Sequence, residues 1–276
     1  MVPTSHELRL SLPTPAGRLL EGCKALKILT VDIETSPSLA YVWRLFKENI
    51  PLQRLVDTGE VICVAAKWYG EDEVKFFSVH HDGKQEMLNG IYNLLSEADA
   101  VVTYNGKKFD IPHLNREFIL AGMTPPAPYA QIDLYWTARQ KFNFVSNKLD
   151  NIARELGLGG KFVHAGFQLW IDCMNNDPEA WEEMKTYNMK DVELTEKLYE
   201  RLLPWITSHP TVTLYDESDP LAASPSTCPN CGGTSLKPRG RAYTSVTVYQ
   251  RFRCDDCGKW SRSNKRLEGV SVRGLS

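Results

Sequence analysis

Apolar and polar positions change rhythm along this chain and divide it into strands and helices before any chemistry is considered. Residues 27–32 (K-I-L-T-V-D) alternate in the manner of a strand, and 61–68 and 73–79 are two more β-rich runs separated by Gly70, Glu71 and Asp72. A helix fits 84–98, where Met87, Ile91, Leu94 and Leu95 fall on one face, and an apolar strand at 100–104 runs into a turn at Asn105 and Gly106. A second helix over 111–121 stops at Gly122 and the loop of Pro125 and Pro126, and further helices fit 134–142 and 148–156. The best-bounded helix covers 178–203, with Asp177 as N-cap, Pro178 at the first helical position, Glu179 in the first turn and Pro204 as the stop.

Beyond that helix the periodicity fades into 208–226, a stretch rich in Ser, Pro and Asp that reads as a linker. The expected organisation is therefore an N-terminal extension (1–26), a large α/β domain (27–207), the linker, and a small C-terminal segment (227–276). A chain of 276 residues can bury a core of that size and still carry an appendage. No apolar run approaches the roughly eighteen residues of a membrane helix. The first residues, with Ser5, His6, Glu7 and Arg9 ahead of any apolar stretch, lack the pattern of a secretory signal. The expectation is a cytoplasmic protein with no membrane partner.

The formal net charge of -2 conceals a division, because residues 237–276 hold ten basic and three acidic side chains, a balance of +7 against -9 for the rest. A basic tail can serve solubility alone. On an acidic body it also fits an enzyme that gathers carboxylates around metal ions and reaches a polyanion with a separate element. Of the seven cysteines, Cys23, Cys63 and Cys173 are isolated and read as reduced, partly buried residues. Cys228, Cys231, Cys254 and Cys257 form two C-x-x-C pairs, which without a secretion signal favour metal over disulfides.

Three acidic motifs carry the candidate chemistry. Asp32 and Glu34 lie two apart at a strand end, so both carboxylates share one side while Ile33 points to the other. They could share a cation, whose charge would offset a repulsion that otherwise raises their pKa values. Asp110 stands at the mouth of the helix after Asn105 and Gly106, where an ordinary N-cap is the simplest reading and metal ligation a compatible one. Tyr187 and Asp191, four apart in the long helix, project from one face. Each signal alone is common in proteins that bind no metal; their occurrence together, at a strand end, a helix mouth and a helix face, is not.

The segments D-I-E-T (32–35), Y-N-G-K-K-F-D-I-P (104–112) and Y-N-M-K-D (187–191) resemble the three motifs of the DEDD superfamily of 3′-to-5′ exonucleases. The central motif is especially similar to that of the proofreading domain of family B DNA polymerases, and stand-alone phage and bacterial exonucleases resemble the whole of 27–205. The resemblance implies a ribonuclease H-like fold, a mixed five-stranded sheet flanked by helices. It also implies a tyrosine-type active site, because Tyr187 precedes the last Asp by four while Thr186 occupies the position where the other branch has His. His164 lies too far upstream to replace it and reads as a loop histidine. By the same resemblance, Asp32, Glu34 and Asp191 would hold a water-activating Mg²⁺ or Mn²⁺, with Asp32 bridging to a second ion that Asp110 anchors directly or through water. Tyr187, with an ordinary pKa of about 10, would orient the water rather than deprotonate it. Asn105 and Phe109 are candidate contacts to the terminal nucleotide. Tyr41, Trp43 and Phe46, in the long connection 36–57, could stack on bases, although packing against the domain is the expected use.

In the C-terminal segment, C-P-N-C at 228–231 and C-D-D-C at 254–257 each precede a glycine, Gly232 and Gly258, which lets the backbone turn its amides toward sulfur. One structural Zn²⁺ would replace the core that so short a segment lacks. Residues 241–253 read as a β-hairpin with Arg251 and Arg253 on one face. The segment resembles zinc ribbons of DNA-associated phage and transposase proteins, which implies phosphate binding, with docking to a replication or recombination protein as the rival. The function expected from these readings is exonucleolytic digestion of single-stranded DNA from 3′ ends; RNA trimming and a catalytically silent nucleic-acid adaptor are the alternatives.

Overall fold

A computed structural model of the chain describes residues 26–162, 165–212, 227–269 and 271. Strand β1 (Ile28–Thr35) leads into an arm where β2 (Leu39–Ala40) pairs with β3 (Leu55–Asp57), and then into β4 (Val61–Trp68) and β5 (Val74–Ser78). Helix α1 (Lys84–Glu97), β6 (Ala100–Thr103), α2 (Asp110–Leu120), β7 (Ala130–Asp133), α3 (Leu134–Lys141), α4 (Leu149–Glu155), α5 (Phe167–Met174) and α6 (Pro178–Leu202) follow. Five strands form one sheet in the order β5-β4-β1-β6-β7, antiparallel from β5 to β1 and parallel from β1 to β7. The expected mixed five-stranded sheet flanked by helices is present.

Alternation along β1 sorts its side chains. Leu29, Val31 and Ile33 join Met87, Leu88, Ile91 and Leu95 of α1 and Ile111, Leu114 and Phe118 of α2 in the larger core cluster. Across the sheet, Ile62 packs with Leu169 and Cys173 of α5 and with Ala180, Trp181, Met184 and Tyr187 of α6. The capping of α6 is as expected: the Asp177 side chain accepts the Glu179 N–H and Pro178 opens the helix. Cys63 and Cys173 are buried thiols, while Cys23, His164 and the linker residues 213–226 lie outside the described residues. Among the described residues, no helix is long and apolar enough to cross a membrane.

Residues Leu26–Pro210 form one compact unit, and the chain from Thr211 belongs to another. In the latter, β8 (Leu236–Tyr243), β9 (Thr247–Cys254) and β10 (Trp260–Gly269) form an antiparallel sheet in the order β10-β9-β8. The hairpin expected at 241–253 is thus longer at both ends and is joined by a third strand.

Candidate metal-dependent active site

Because Ile33 points into the α1 and α2 core, Asp32 and Glu34 emerge on the opposite face of β1, against α6. There the face of α6 that bears Tyr187, Asn188 and Asp191 is buried. Carboxylate oxygens of Asp32, Glu34 and Asp191 all lie within 4.8 Å of one another. Two residues from β1 and one from α6, 157 positions apart at the closest reading of the sequence motifs, become a single cluster only because the sheet packs on that helix.

Asp110 is not among the three acids within 4.8 Å of one another, but its charge acts on Asp32 and Glu34. Helix α2 begins at Asp110 itself, with Phe109 as its cap and no side-chain capping bond, so the expected N-cap role is not met. Its Oδ1 instead accepts the Ile33 N–H at 3.1 Å. The cause lies in the sheet: pairing of β1 with β6 stops at Thr30, and Asp110 supplies the acceptor that the ladder no longer offers. The turn before α2 is also held from outside the motif. Buried Asp133 accepts the Asn105 N–H at 2.9 Å and the Lys107 N–H at 3.1 Å. Asn105 has a left-handed backbone (φ 68°), and a Cβ on Gly106 would come within 2.4 Å of the Thr103 side chain, so the turn cannot be widened at that point. Phe109 is exposed, with its ring 4.5 Å from that of His113.

Two further side chains complete the cluster. Asn188, fully buried, donates its Nδ2 to Asp32 Oδ2 at 2.7 Å. Lys161, between α4 and α5, donates to Asp191 Oδ2 and, at 3.2 Å, to the Tyr187 hydroxyl. Its backbone is fixed by Asp150, which accepts the Lys161 N–H at 2.8 Å and also an Arg154 N–H at 2.9 Å. A Cβ on Gly160 would crowd Arg154 and Asp150 at 2.9 and 3.0 Å, which keeps this approach narrow. An irregular loop gives lysine no periodic signature, whereas Asn188, three residues before Asp191 and on the same helix face, could have been found by spacing.

The cluster's electrostatics follow from burial. Desolvation pushes Glu34 up to about 8, with Lys161 pulling against it and Asp191 and Asp110 adding to the rise. Asp110 is pushed up to about 7 by burial, although the Ile33 N–H favours its charged form. Asp32 is raised by burial first and then by its three carboxylate neighbours, Asp110, Glu34 and Asp191. Burial also raises Tyr187, followed by the charges of Glu34 and Asp191, which keeps its hydroxyl protonated. Burial alone would lower Lys161, but Asp191, Tyr187 and Asp32 together raise it and hold the ammonium form. An all-oxygen set of carboxyl groups with Lys161 as its nearby cation, which a metal ion can supplement, suits a hard divalent cation.

Beside the cluster, Thr35, Ser36, Pro37, Gly166, Phe167 and Trp170 line an open cleft of about 350 Å³. The Trp170 ring stands edge-on to Tyr187, with centroids 6.0 Å apart, so the cleft borders the carboxylates. Tyr41, Trp43 and Phe46 do not pack on the domain as expected; they are 76%, 84% and 81% exposed. Both faces of the sheet are already covered by helices. The arm folds on itself instead, with the Glu48 carboxylate accepting the Trp43 and Arg44 N–H groups and pairing with Arg54.

The four cysteines of the C-terminal unit form a second cluster. Cys228 and Cys257 sulfurs are 3.8 Å apart, as are those of Cys231 and Cys254, and all four lie within 4.8 Å of one another. A disulfide would be about 2.0 Å, whereas a tetrahedron with Zn–S bonds of about 2.3 Å has an edge of about 3.8 Å. Gly232 and Gly258 are left-handed, φ 72° and 77°, and their N–H groups donate to the carbonyls of Cys228 and Cys254. The arrangement is compatible with a zinc ribbon. Arg251 and Arg253 both lie over the Trp260 ring, at 4.9 and 6.0 Å.

A mixed sheet whose central strand and facing helix converge their carboxylates defines an α/β protein with an acidic site compatible with divalent metal. The chain belongs to the RNase_H superfamily: its residues 54–203 match the RNase_H_2 family model. That membership and the acidic cluster support a nuclease-type enzyme, and the ribonuclease H-like fold implied by the motifs is the one observed. Among solved structures it is similar to the family B DNA polymerase from the hyperthermophilic archaeon Pyrobaculum calidifontis, at 20% identity and a TM-score of 0.49, over 81% of this chain and 32% of the polymerase. No curated protein matches the sequence.

Proposed function

We propose that this protein is a 3′-to-5′ exonuclease of the DEDD type, with Tyr187 in its active site, that removes nucleotides from single-stranded DNA with the help of two Mg²⁺ or Mn²⁺ ions. The observation that carries the reading is the convergence of Asp32, Glu34 and Asp191 within 4.8 Å, one helical turn from Tyr187. Asp32, Glu34 and Asp191 would hold the ions, with Asp110 as the more distant acid. Bound there, divalent ions supply a nucleophilic water near neutral pH and relieve charge on the leaving oxygen.

The chain's own groups do the positioning. Asn188 fixes one oxygen of Asp32 and so sets the direction of the other. Tyr187, protonated and held by Lys161, orients the attacking water. The cleft of Thr35, Pro37, Phe167 and Trp170 offers an apolar seat for the terminal nucleotide beside the acids, and Asn105 and Phe109 lie on the turn that delivers Asp110. The cysteine cluster would hold one structural Zn²⁺.

The full chain, incubated with 5′-labelled single strands of DNA and RNA in Mg²⁺, Mn²⁺ or EDTA, tests the reading. Stepwise shortening from the 3′ end, faster on DNA, absent in EDTA and absent in Asp191→Asn, is expected. Internal cuts at early times, or shortening that survives EDTA, would overturn it.

A further inference from the structure

We infer that one face of the β8-β9-β10 sheet is a binding surface for a single extended nucleic-acid strand, with Trp260 as its stacking platform. Cross-strand register puts the face together. Arg253 on β9 stands opposite Trp260 on β10 and Lys237 on β8. Two residues back, Arg251 stands opposite Arg262, and then Tyr249 opposite Arg266. The period of two places Arg251, Arg253 and Tyr249 on the same side, and Phe252 and Gln250 on the other. Burial follows the same alternation: Arg251, Arg253, Trp260, Arg262 and Arg266 are exposed, while Phe252 and Ser261 are half-buried.

The charge on this face is only partly offset, by Asp255, which pairs with Lys237 and also feels Arg253. Glu268 pairs with Arg241. Glu268 stands opposite Val248, on the far side of the sheet. Among the described residues, no carboxylate pairs with Arg251, Arg253, Arg262 or Arg266. Instead three of the four guanidinium groups rest on rings: Arg251 and Arg253 over Trp260, and Arg262 over Tyr249 at 4.0 Å.

Four exposed guanidinium groups around two rings are a poor surface for an apolar protein partner and a good one for a polyanion that also has flat apolar parts. Neighbouring same-face positions along a strand are about 6.6 Å apart, a spacing comparable with the phosphates of an extended single strand. A guanidinium that leaves the ring for a phosphate uncovers the indole for a base. Duplex nucleic acid offers the phosphates but keeps its bases stacked inside, so the two components of the surface are both used only by a single strand. DNA and RNA share this chemistry.

The inference does not depend on the exonuclease reading, because it is tested by binding. Full-length protein carrying Asp191→Asn, loaded with Zn²⁺, is titrated against fluorescent oligo-dT, oligo-U and a duplex of equal length, with zinc content measured for every variant. Adding Trp260→Ala is expected to weaken single-strand affinity roughly tenfold, as loss of one stacked base does, with Trp260→Phe restoring most of it and duplex affinity unmoved. Arg251→Gln with Arg253→Gln is expected to lower the log-log salt slope by about 1.4, at ~0.7 per phosphate contact. The dT and U arms separate the two nucleic acids. Zinc-loaded variants with unchanged single-strand affinity and salt slope, or a Trp260→Ala effect as large on duplex, would overturn the inference, whatever the nuclease assay shows.

Discussion

Lys161, from an irregular loop, donates to Asp191 on α6 and to the Tyr187 hydroxyl one turn away, so a cation supplied by the protein itself touches the acidic cluster. The Asp191 side chain is 1% exposed and that of Lys161 32%, which makes the ammonium the nearest counter-charge to a buried carboxylate. Lys161→Met should therefore destabilise the metal-free protein by about 2 kcal/mol, the worth of a hydrogen bond to a charged group. Mn²⁺ should recover most of that loss, since a bound ion takes over the counter-charge. Thermal melts with and without Mn²⁺ check this; a metal-free variant as stable as the parent would show that Lys161 is a bystander.

The raised carboxylates give a pH dependence whose sign can be worked out. In the unfolded chain Asp and Glu titrate near 4, whereas in the folded metal-free protein Asp110 holds its proton to about 7 and Glu34 to about 8. Across that window the folded state binds more protons than the unfolded one, so stability is fully present below about 4 and declines as pH rises toward 8. The metal-free protein should melt lower at pH 8 than at pH 5.5, and the stabilisation by Mn²⁺ should be larger at the higher pH. Scanning fluorimetry at the two pH values decides; a metal effect of equal size at both would count against the assigned protonation.

Tyr187→Phe separates orientation from packing. The ring stays against Trp170 and the core, while the hydroxyl that faces Lys161 is lost. Turnover should fall by roughly 10², with KM little changed. A collapse in KM at constant turnover would make Tyr187 a substrate contact instead.

What the sequence disclosed depended on how regular each element is. The alternation in β1 and the capped, proline-opened α6 were legible, and with them the placement of Asp32, Glu34, Tyr187 and Asp191. Helix α5 was missed because F-Q-L-W-I-D-C-M is short and apolar almost all round, and its cap, Gly166 with φ 70°, supplies no side-chain signal. Strand β7 has only the four residues A-Q-I-D, too few to show a period, and so Asp133, which holds the Asn105 turn, went unnoticed. Lys161 owes its role to contacts 26 and 30 residues away along the chain, and Trp260 to cross-strand pairing with β9. The wrong expectation for Tyr41, Trp43 and Phe46 came from assuming room on a sheet whose two faces α1, α2, α5 and α6 already cover.

The C-terminal unit should depend on metal for its fold, whereas the α/β unit should not. Among the described residues from 227 onward, the only buried hydrophobic-class side chains are Cys228 and Cys254, with Asn230 the one buried polar residue. Three twisted strands without a core cannot offset their ordering entropy by burial. Four thiolates on one Zn²⁺ can, at about 10–16 kcal/mol in small zinc domains. The α/β unit has its own clusters on both faces of its sheet, drawn from residues 29–187. Stripping zinc with a thiol-specific chelator, or making Cys231→Ser, should leave its melting transition in place while residues beyond 226 become sensitive to protease. Mass spectrometry of the limited digest locates the cuts. Protection of the β8-β9-β10 region after complete zinc removal would show that the sheet is held by something other than its cysteine cluster.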